Sequence, residues 1–455
     1  MNPEIFREYD IRGHAENDLD NETVELIGKA YAAKMIEKNA GRVMLGCDNR
    51  ESSERIKSKF AEALKESGLK VMDIGIVPIP ALYYSIVAMD ADGGVMVTGS
   101  HLGKEFNGFK LSADKNAATL SGEEIQEIRK KAEMKEFVEG LGEIKSVEIL
   151  EKYIVNIVKR VRLEKPVKVV IDCGNGTSSL VAEKILRALG CEVSALYCTL
   201  DSSFPNHHPD PVKPENLQDL IAKVRAEKAD LGIAFDGDSD RLGVIDDKGN
   251  ILWGDSLLSL LAVEVIEKNP GAKIVCEVKC SNVVRETVEK AGGEFIMYKT
   301  GHSLIKKKMK ETGALLAGEM SGHMFFADNY FGFDDALFAA ARVCQLVAKK
   351  GRLSKLAESL PQYYSTPEIR VSVSESEKWE ISEKARKYFT EKYDTLTIDG
   401  VRVNFKDGWA LIRASNTSPK LVLRMESKSR EGLERIKELM RKAMKSFSGG
   451  LKLDF

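Results

Sequence analysis

A strand-and-helix pattern that starts three times and then changes character constrains this chain more than any single motif. Apolar runs at 43–47, 70–74 and 95–97 read as strands, with helical periodicity at 55–67 and a charged helix at 122–133. A polar stretch near 140–145 follows. The pattern restarts with a strand at 167–171, the glycine turn Asp172-Cys173-Gly174-Asn175-Gly176-Thr177, a helix at 179–189 and strands at 192–196 and 231–235. It restarts again at 251–252, with helices at 256–267 and 281–291 and strands at 273–278 and 294–297. Strands alternating with helices fold into helix-covered sheets. After Pro361 strands dominate, at 368–373, 401–405, 410–413 and 421–427, with helices at 378–388 and 430–447. The spacing predicts three related α/β domains at 1–146, 147–249 and 250–362, and an α+β domain at 363–455.

Composition narrows the function. A chain of 455 residues exceeds one hydrophobic core. Its 68 basic and 70 acidic residues leave a net charge of −2, so no basic field draws nucleic acid. The apolar stretch 257–263 is too short to span a bilayer, and Met1-Asn2-Pro3-Glu4 carries no secretory signal. Seven scattered cysteines read as reduced, buried thiols of a cytoplasmic protein. Cys276 and Cys280 have no second Cys or His pair to make a zinc site.

The chemistry concentrates in a few loops. Asp236-Gly237-Asp238-Ser239-Asp240-Arg241 follows the apolar run 231–235. In an extended backbone, alternate residues face one side, so the three carboxylates would gather there. Like charges so close protonate unless a cation holds them ionised, and an all-oxygen donor set suits Mg²⁺. An EF-hand fits poorly, because Arg241 and Asp247 stand where it needs Gly and Glu; the alternative to a metal site is a solvated acidic hairpin turn. Ser100, in Thr98-Gly99-Ser100-His101, is either a nucleophile awaiting a base or metal, or an ordinary serine turn. Asn107-Gly108-Phe109-Lys110 adds a cation nearby. Arg413-Ala414-Ser415-Asn416-Thr417-Ser418 could chelate a phosphate or form a plain polar turn. In Gly318-Glu319-Met320-Ser321-Gly322-His323, a carboxylate and a hydroxyl could grip vicinal sugar hydroxyls. Five of six histidines (101, 207, 208, 302, 323) fall in glycine- or proline-containing loops, which suits a phosphate or sugar site. Gly174-Asn175-Gly176 lacks the third glycine and the ribose-binding acid of a dinucleotide motif.

In series, these motifs resemble the α-D-phosphohexomutase family, most closely its phosphomannomutase/phosphoglucomutase branch. The resemblance runs through Phe6-Arg7-Glu8-Tyr9-Asp10-Ile11-Arg12-Gly13, the Ser100 loop and Phe204-Pro205-Asn206-His207-His208-Pro209. It continues through the 236–241 loop, Val278-Lys279-Cys280, Lys299-Thr300-Gly301-His302, the Glu319 loop and the Arg413 loop, and so spans essentially the whole chain.

The resemblance implies mixed sheets in the three α/β domains and a heart-shaped four-domain molecule around a central cleft. It implies an enzyme interconverting hexose 1-phosphate and hexose 6-phosphate, of mannose and/or glucose. A phosphoserine and a bound 1,6-bisphosphate that turns end for end would carry the phosphate, the bisphosphate serving also as activator. By the same resemblance Ser100 is the phosphoserine, and Mg²⁺ is held by Asp236, Asp238, Asp240 and an oxygen at Ser100. Arg12, His101, Lys110 and Arg241 surround the transferring group. Tyr9, Glu319 and Ser321 bind substrate, and Arg413, Ser415, Asn416 and Thr417 hold the unreactive phosphate. His323 is the base, with Lys279 and His302 assisting. The implied partners are small hexose phosphates, with no nucleic acid or membrane, in a monomer or small homo-oligomer.

Two departures stand out: Ser100-His101-Leu102-Gly103 replaces the family's usual Ser-His-Asn-Pro, and Ser239 replaces the second glycine of Asp-Gly-Asp-Gly-Asp. Met320 favours the mannose/glucose branch over a phosphoglucosamine mutase, which tends to carry Gln there. A catalytically silent sugar-phosphate binder would be expected to lose Ser100 or a carboxylate, and a phosphatase to release phosphate steadily.

Overall fold

Each of the four described sheets contains an antiparallel hairpin, and the tips of those hairpins carry several of the loops singled out above. The computed structural model describes residues 1–416 and 418–448. Its first sheet orders Ile11–His14, Phe106–Ser112, Gly93–Val97, Arg42–Cys47, Lys70–Ile76 and Glu143–Ser146. The last four strands run parallel, and Phe106–Ser112 pairs antiparallel with Gly93–Val97. The second sheet orders Ile251–Leu252, Leu242–Asp246, Leu231–Phe235, Lys168–Asp172 and Glu192–Leu196. Here Leu242–Asp246 is the antiparallel return of a strand in a parallel set. The third orders Glu294–Tyr298, Lys273–Glu277, Leu316–Gly318 and Met324–Phe326, again with the last pair antiparallel. The fourth sheet is antiparallel throughout and is centred on Gly408–Ala414 and Lys420–Ser427.

The parallel strands are buried on both faces, hence the continuous apolar runs Gly93–Val97 and Leu231–Phe235. A few helices on these sheets begin at side-chain caps, such as Asp20 Oδ1 accepting from Thr23 N at 2.8 Å ahead of Asn21–Glu37. One apolar core runs through the first three units, from Met44 through Val169 and Ile233 to Leu258 and Leu337. The C-terminal unit has its own core around Ile412, Leu423 and Met440. It joins the third through a small cluster of Val278, Trp409 and Leu411.

Several elements differ from the sequence expectation. The polar stretch near 140 contains the edge strand Glu143–Ser146, which Lys70–Ile76 organises by parallel pairing. The helix expected at 179–189 is split into a 3₁₀ turn, Thr177–Leu180, and Ala182–Ala188. His302 is not in a loop: it opens the helix His302–Thr312. Helix Asn21–Glu37 is buried around most of its circumference, so it lacks the one-sided stripe that marks a surface helix.

Trp409 fixes the C-terminal unit to the third. It is fully buried, and its Nε1 donates to Glu426 Oε1 at 2.8 Å. The Arg402 guanidinium lies 3.6 Å from the centre of its ring. Arg402 in turn donates to the carbonyls of Val278 (2.6 Å) and Cys280 (2.8 Å). Removing a buried indole costs about 3–5 kcal/mol. Trp409→Ala is therefore expected to give the C-terminal domain its own, lower-temperature transition in scanning calorimetry. A single unshifted transition would mean that this contact does not hold the domain.

Candidate active site

Four hairpin tips face one another. They are the 98–105 segment between Gly93–Val97 and Phe106–Ser112, the 236–241 segment after Leu231–Phe235, the 319–323 segment after Leu316–Gly318, and the turn after Gly408–Ala414. The first three occupy the same topological position, between a parallel strand and its antiparallel return.

The 236–241 segment is a turn rather than an extended strand, with Ser239 left-handed at φ 67. The three carboxylates converge all the same, because neighbours fix the turn's backbone. The carbonyls of Gly237, Asp238 and Ser239 accept from the N–H groups of Thr177 (3.0 Å), Ile79 (2.9 Å) and Ala336 (3.3 Å), one from each α/β unit. Gly237 lies so close to the serine turn that a Cβ would sit 2.5 Å from Ser100 O. The carboxylate oxygens of Asp236, Asp238 and Asp240 come within 4.8 Å of one another, and all three side chains are fully buried.

Ser100, itself left-handed at φ 49, points its hydroxyl into this cluster. Its Oγ donates to Asp236 Oδ2 at 3.0 Å and lies 3.2 Å from His101 Nδ1. Lys110, on the return strand, donates to Asp238 Oδ2 at 2.9 Å and to Asp240 Oδ2. Burial works against the Lys110 charge, but Asp238 and Asp240 outweigh it and hold the ammonium protonated. Burial together with Asp240 and Asp238 pushes the Asp236 carboxyl well above the usual carboxylate range. Asp238 Oδ1 and Asp240 Oδ1 are buried without a hydrogen-bond partner among the described residues. Clustered acids with orphaned oxygens suit a hard divalent cation.

Above this floor opens a cleft of about 480 Å³. On one wall Arg12 Nε pairs with Asp10 Oδ2 at 2.6 Å. Arg241 Nε donates to His323 Nε2 at 3.1 Å, so the ring proton of His323 is on Nδ1, which lies 3.3 Å from Asp334 Oδ2. His302 stacks on His323 at 5.7 Å between centroids. Burial, followed by nearby Arg241, Arg12 and Lys110, drives the His101 pKa well below its ordinary value. Burial does the same to His302.

The opposite wall carries the polar grips. Glu319 Oε1 accepts from Gly301 N at 2.7 Å, and its Oε2 from Ser321 Oγ at 3.3 Å. Tyr9 donates to Thr300 O at 2.6 Å and accepts from Asn416 Nδ2 at 2.5 Å, so one phenol touches three domains. Arg413 Nε is 3.0 Å from Asp399 Oδ2, beside Ser415, whose Oγ is 2.9 Å from Ser418 Oγ. Thr417 lies outside the described residues. Lys279 lines the same cleft, paired with Glu368 Oε2 at 3.0 Å and 3.4 Å from Glu277 Oε1.

The motifs alone did not reveal the supports. Lys378 is buried beneath the Arg413 turn and donates to Ser415 O (2.7 Å) and Ser418 O (3.2 Å). Glu277 accepts from Met320 N at 3.1 Å and from Thr300 Oγ1, bracing two loops at once. Asp334 joins His323 to Lys306, 3.0 Å from its Oδ1. Asp48 and Arg50 read only as a polar loop after a strand. The available signal was their position, since they follow a buried parallel strand next to the one that delivers Ser100.

The chain matches four family models, described as phosphoglucomutase/phosphomannomutase α/β/α domains I (residues 3–139), II (148–249) and III (253–364) and the C-terminal domain (368–443). A phosphomannomutase/phosphoglucomutase from Pseudomonas aeruginosa is 46% identical over 453 residues, 99% of this chain and 97% of that protein. A phosphoglucomutase from Neisseria gonorrhoeae is 44% identical, over 97% of each. The crystal structure of a phosphoglucomutase/phosphomannomutase family protein from Burkholderia thailandensis superposes with a TM-score of 0.94 at 39% identity, covering 100% of both chains.

The imidazoles of His101 and His302, both disfavoured in their charged form, imply a pH dependence. His101 and His302 are neutral when folded, whereas in the unfolded chain they protonate near 6.5. Below about pH 6.5 the unfolded state therefore binds more protons, so this stability is full above that pH and falls as pH drops. The melting temperature should decline from pH 6.5 towards pH 5, and less steeply in His302→Gln. An identical decline in the variant would exclude His302 as a contributor.

Proposed function

Because the chain belongs to the phosphoglucomutase/phosphomannomutase family, we propose that it interconverts hexose 1-phosphates and hexose 6-phosphates, of mannose or glucose, with Ser100 as the phosphate carrier. The observation that carries this is the Ser100 hydroxyl, held 3.0 Å from Asp236 at the junction of the hairpin tips, under a cleft wide enough for a sugar phosphate. Asp236, Asp238, Asp240 and an oxygen at Ser100 would hold Mg²⁺, which when bound neutralises the phosphoryl group and the charge developing on the serine oxygen.

In the first half-reaction the phosphoryl group leaves Ser100 Oγ for the O6 hydroxyl of a hexose 1-phosphate. The O6 proton passes to His323 Nε2 once Arg241, which donates to that lone pair in this structure, turns to the transferring group. Asp334, 3.3 Å from Nδ1, steadies the resulting imidazolium. Arg12, Arg241 and Lys110 offset the negative charge of the transferring group, and the neutral His101 ring beside Ser100 adds a hydrogen-bonding group. The bisphosphate then turns end for end. Ser100 Oγ takes the phosphoryl group from O1, O1 takes from His323 the proton that O6 gave up, and hexose 6-phosphate leaves.

Glu319 and Ser321 accept and donate to the ring hydroxyls, substituting sugar contacts for their mutual one. Arg413, Ser415, Asn416 and Thr417 hold the phosphate that is not reacting. We place Lys279 with that group rather than with proton transfer, because its carboxylate partners lie on the Arg413 side and His302 stacks on His323 instead. Tyr9, bonded to both Thr300 and Asn416, registers closure of the C-terminal domain on substrate.

Glucose 1,6-bisphosphate should transfer one phosphoryl group to Ser100, seen by intact mass and peptide mapping, and mannose 1-phosphate with Mg²⁺ should then yield mannose 6-phosphate. Ser100→Ala should bring turnover below detection while still binding bisphosphate; near-normal turnover would remove Ser100 as the carrier. Arg413→Ala should raise KM more than it lowers kcat, because that guanidinium binds ground and transition states alike. An unchanged KM in that variant would detach the Arg413 turn from substrate binding.

A further inference from the structure

The nucleophile turn is unusual in what its own sequence lacks. Ser100 adopts a left-handed conformation that L-residues with a side chain resist, and Leu102-Gly103 supplies neither a side-chain amide nor a proline to stiffen it. Arg50 lies beneath this turn, in the bend after strand Arg42–Cys47, and is only 3% exposed. Its Nη2 donates to Ser100 O (2.8 Å) and Leu102 O (2.7 Å). Its Nη1 donates to Phe106 O (3.2 Å) and to Gly103 O. Its Nε donates to Asp48 Oδ2 at 3.0 Å. A guanidinium has five N–H donors in a fixed fork. Every one is used: three on carbonyls of the 98–105 segment that carries Ser100, one on the carbonyl of Phe106 where the return strand begins, and one on Asp48.

The fit extends to the neighbours. A Cβ on Gly99 would lie 2.5 Å from Arg50 Cζ and Nε, so the guanidinium rests where a side chain would otherwise be. Asp48, which holds Arg50, also accepts from Gly99 N (3.0 Å) and Thr98 Oγ1 (2.9 Å) with the same oxygen. Thr98 Oγ1 accepts from Ser100 N at 2.8 Å and lies 3.1 Å from Asp238 Oδ2. The Phe204 ring of the second unit closes the far side, 5.4 Å from Arg50 Cζ. Arg50 does not line the cleft.

We propose that Arg50 is a positioning residue for phosphoryl transfer: its four-carbonyl clamp fixes the left-handed turn that aims Ser100 Oγ at the 236–240 carboxylates. It acts through the backbone and touches neither the sugar nor the transferring phosphate. The clamp provides the stiffness that an Asn-Pro pair gives the usual family loop. A lysine keeps the charge but cannot span four carbonyls from one point. This inference rests on Ser100 being the phosphate carrier.

The test compares wild type, Arg50→Lys, Gly99→Ala and Ser100→Ala with mannose 1-phosphate, Mg²⁺ and a trace of glucose 1,6-bisphosphate. Single-turnover phosphorylation of Ser100 by the bisphosphate is followed alongside steady-state kinetics and melting temperature. Gly99→Ala keeps the guanidinium but sets a Cβ 2.5 Å from it and 2.7 Å from Phe106 O, so it displaces the clamp together with one of its acceptors and stands in if Arg50→Lys does not fold. Misplacement of a nucleophile by about 1 Å costs about 10²-fold in rate. Folded Arg50→Lys and Gly99→Ala should lose about that much in kcat and in the Ser100 phosphorylation rate, with KM for the sugar phosphate within about twofold. A folded variant with kcat within about threefold of wild type, or a loss confined to KM, would overturn the positioning role. Turnover surviving in Ser100→Ala would instead overturn the carrier reading beneath it.

Discussion

Three carboxylates buried together at the centre of the molecule set the terms for everything around them. Removing one such charge from water costs several kcal/mol even after relaxation, and three side by side also repel. The structure answers with Lys110 in direct contact, the backbone N–H groups of Asp240 and Arg241 on Asp236 Oδ1 at 3.0 Å each, and two oxygens left open. No single domain supplies this environment. The lysine comes from the first unit, the acids from the second, and the N–H groups that fix their turn from all three. The arrangement of domains is therefore a condition for the acids to coexist as well as a frame around the cleft.

The same dependence explains which parts of the site could be read from sequence. Carboxylates, serine, histidines and the Arg413 cluster were legible because their composition is odd for loops after apolar runs. Asp48, Arg50, Glu277, Asp334 and Lys378 were not, since each is an ordinary charged residue whose importance lies in a carbonyl or imidazole distant in sequence. The three acids were read correctly as a cluster on an incorrect premise. Extended alternation was expected to gather them, whereas a turn with Ser239 at φ 67 does so, held by Thr177, Ile79 and Ala336. Ser239 also stands where the related motif has glycine, the residue best suited to that conformation.

The fold was legible where burial leaves a pattern. Parallel strands buried on both faces gave continuous apolar runs, and the repeated alternation with helices followed from them. The antiparallel strands of the first unit were harder. Ile11–His14 alternates buried and half-buried residues over only four positions, and Phe106–Ser112 carries Asn, Gly and Lys among its buried residues. Those polar residues are present because the strand runs along the site, with Lys110 reaching the acids. A strand that serves a polar cleft loses the apolar signature by which strands are recognised.

Placing the serine, the three carboxylates and Glu319 at hairpin tips has a consequence for precision. The position of a tip is set by the register of the two strands that carry it, and one residue of slip moves it by about 3.3 Å along the strand and exchanges its faces. The cleft is thus a mechanism of four rulers read against one another, each graduated in single residues. Gly94 opposite Ser112, Leu242 opposite Phe235, Gly318 opposite Met324 and Ala414 opposite Leu421 are the marks that must coincide. Insertions are tolerable at the far ends of these sheets, where no tip is displaced, and intolerable within the eight strands that do the measuring.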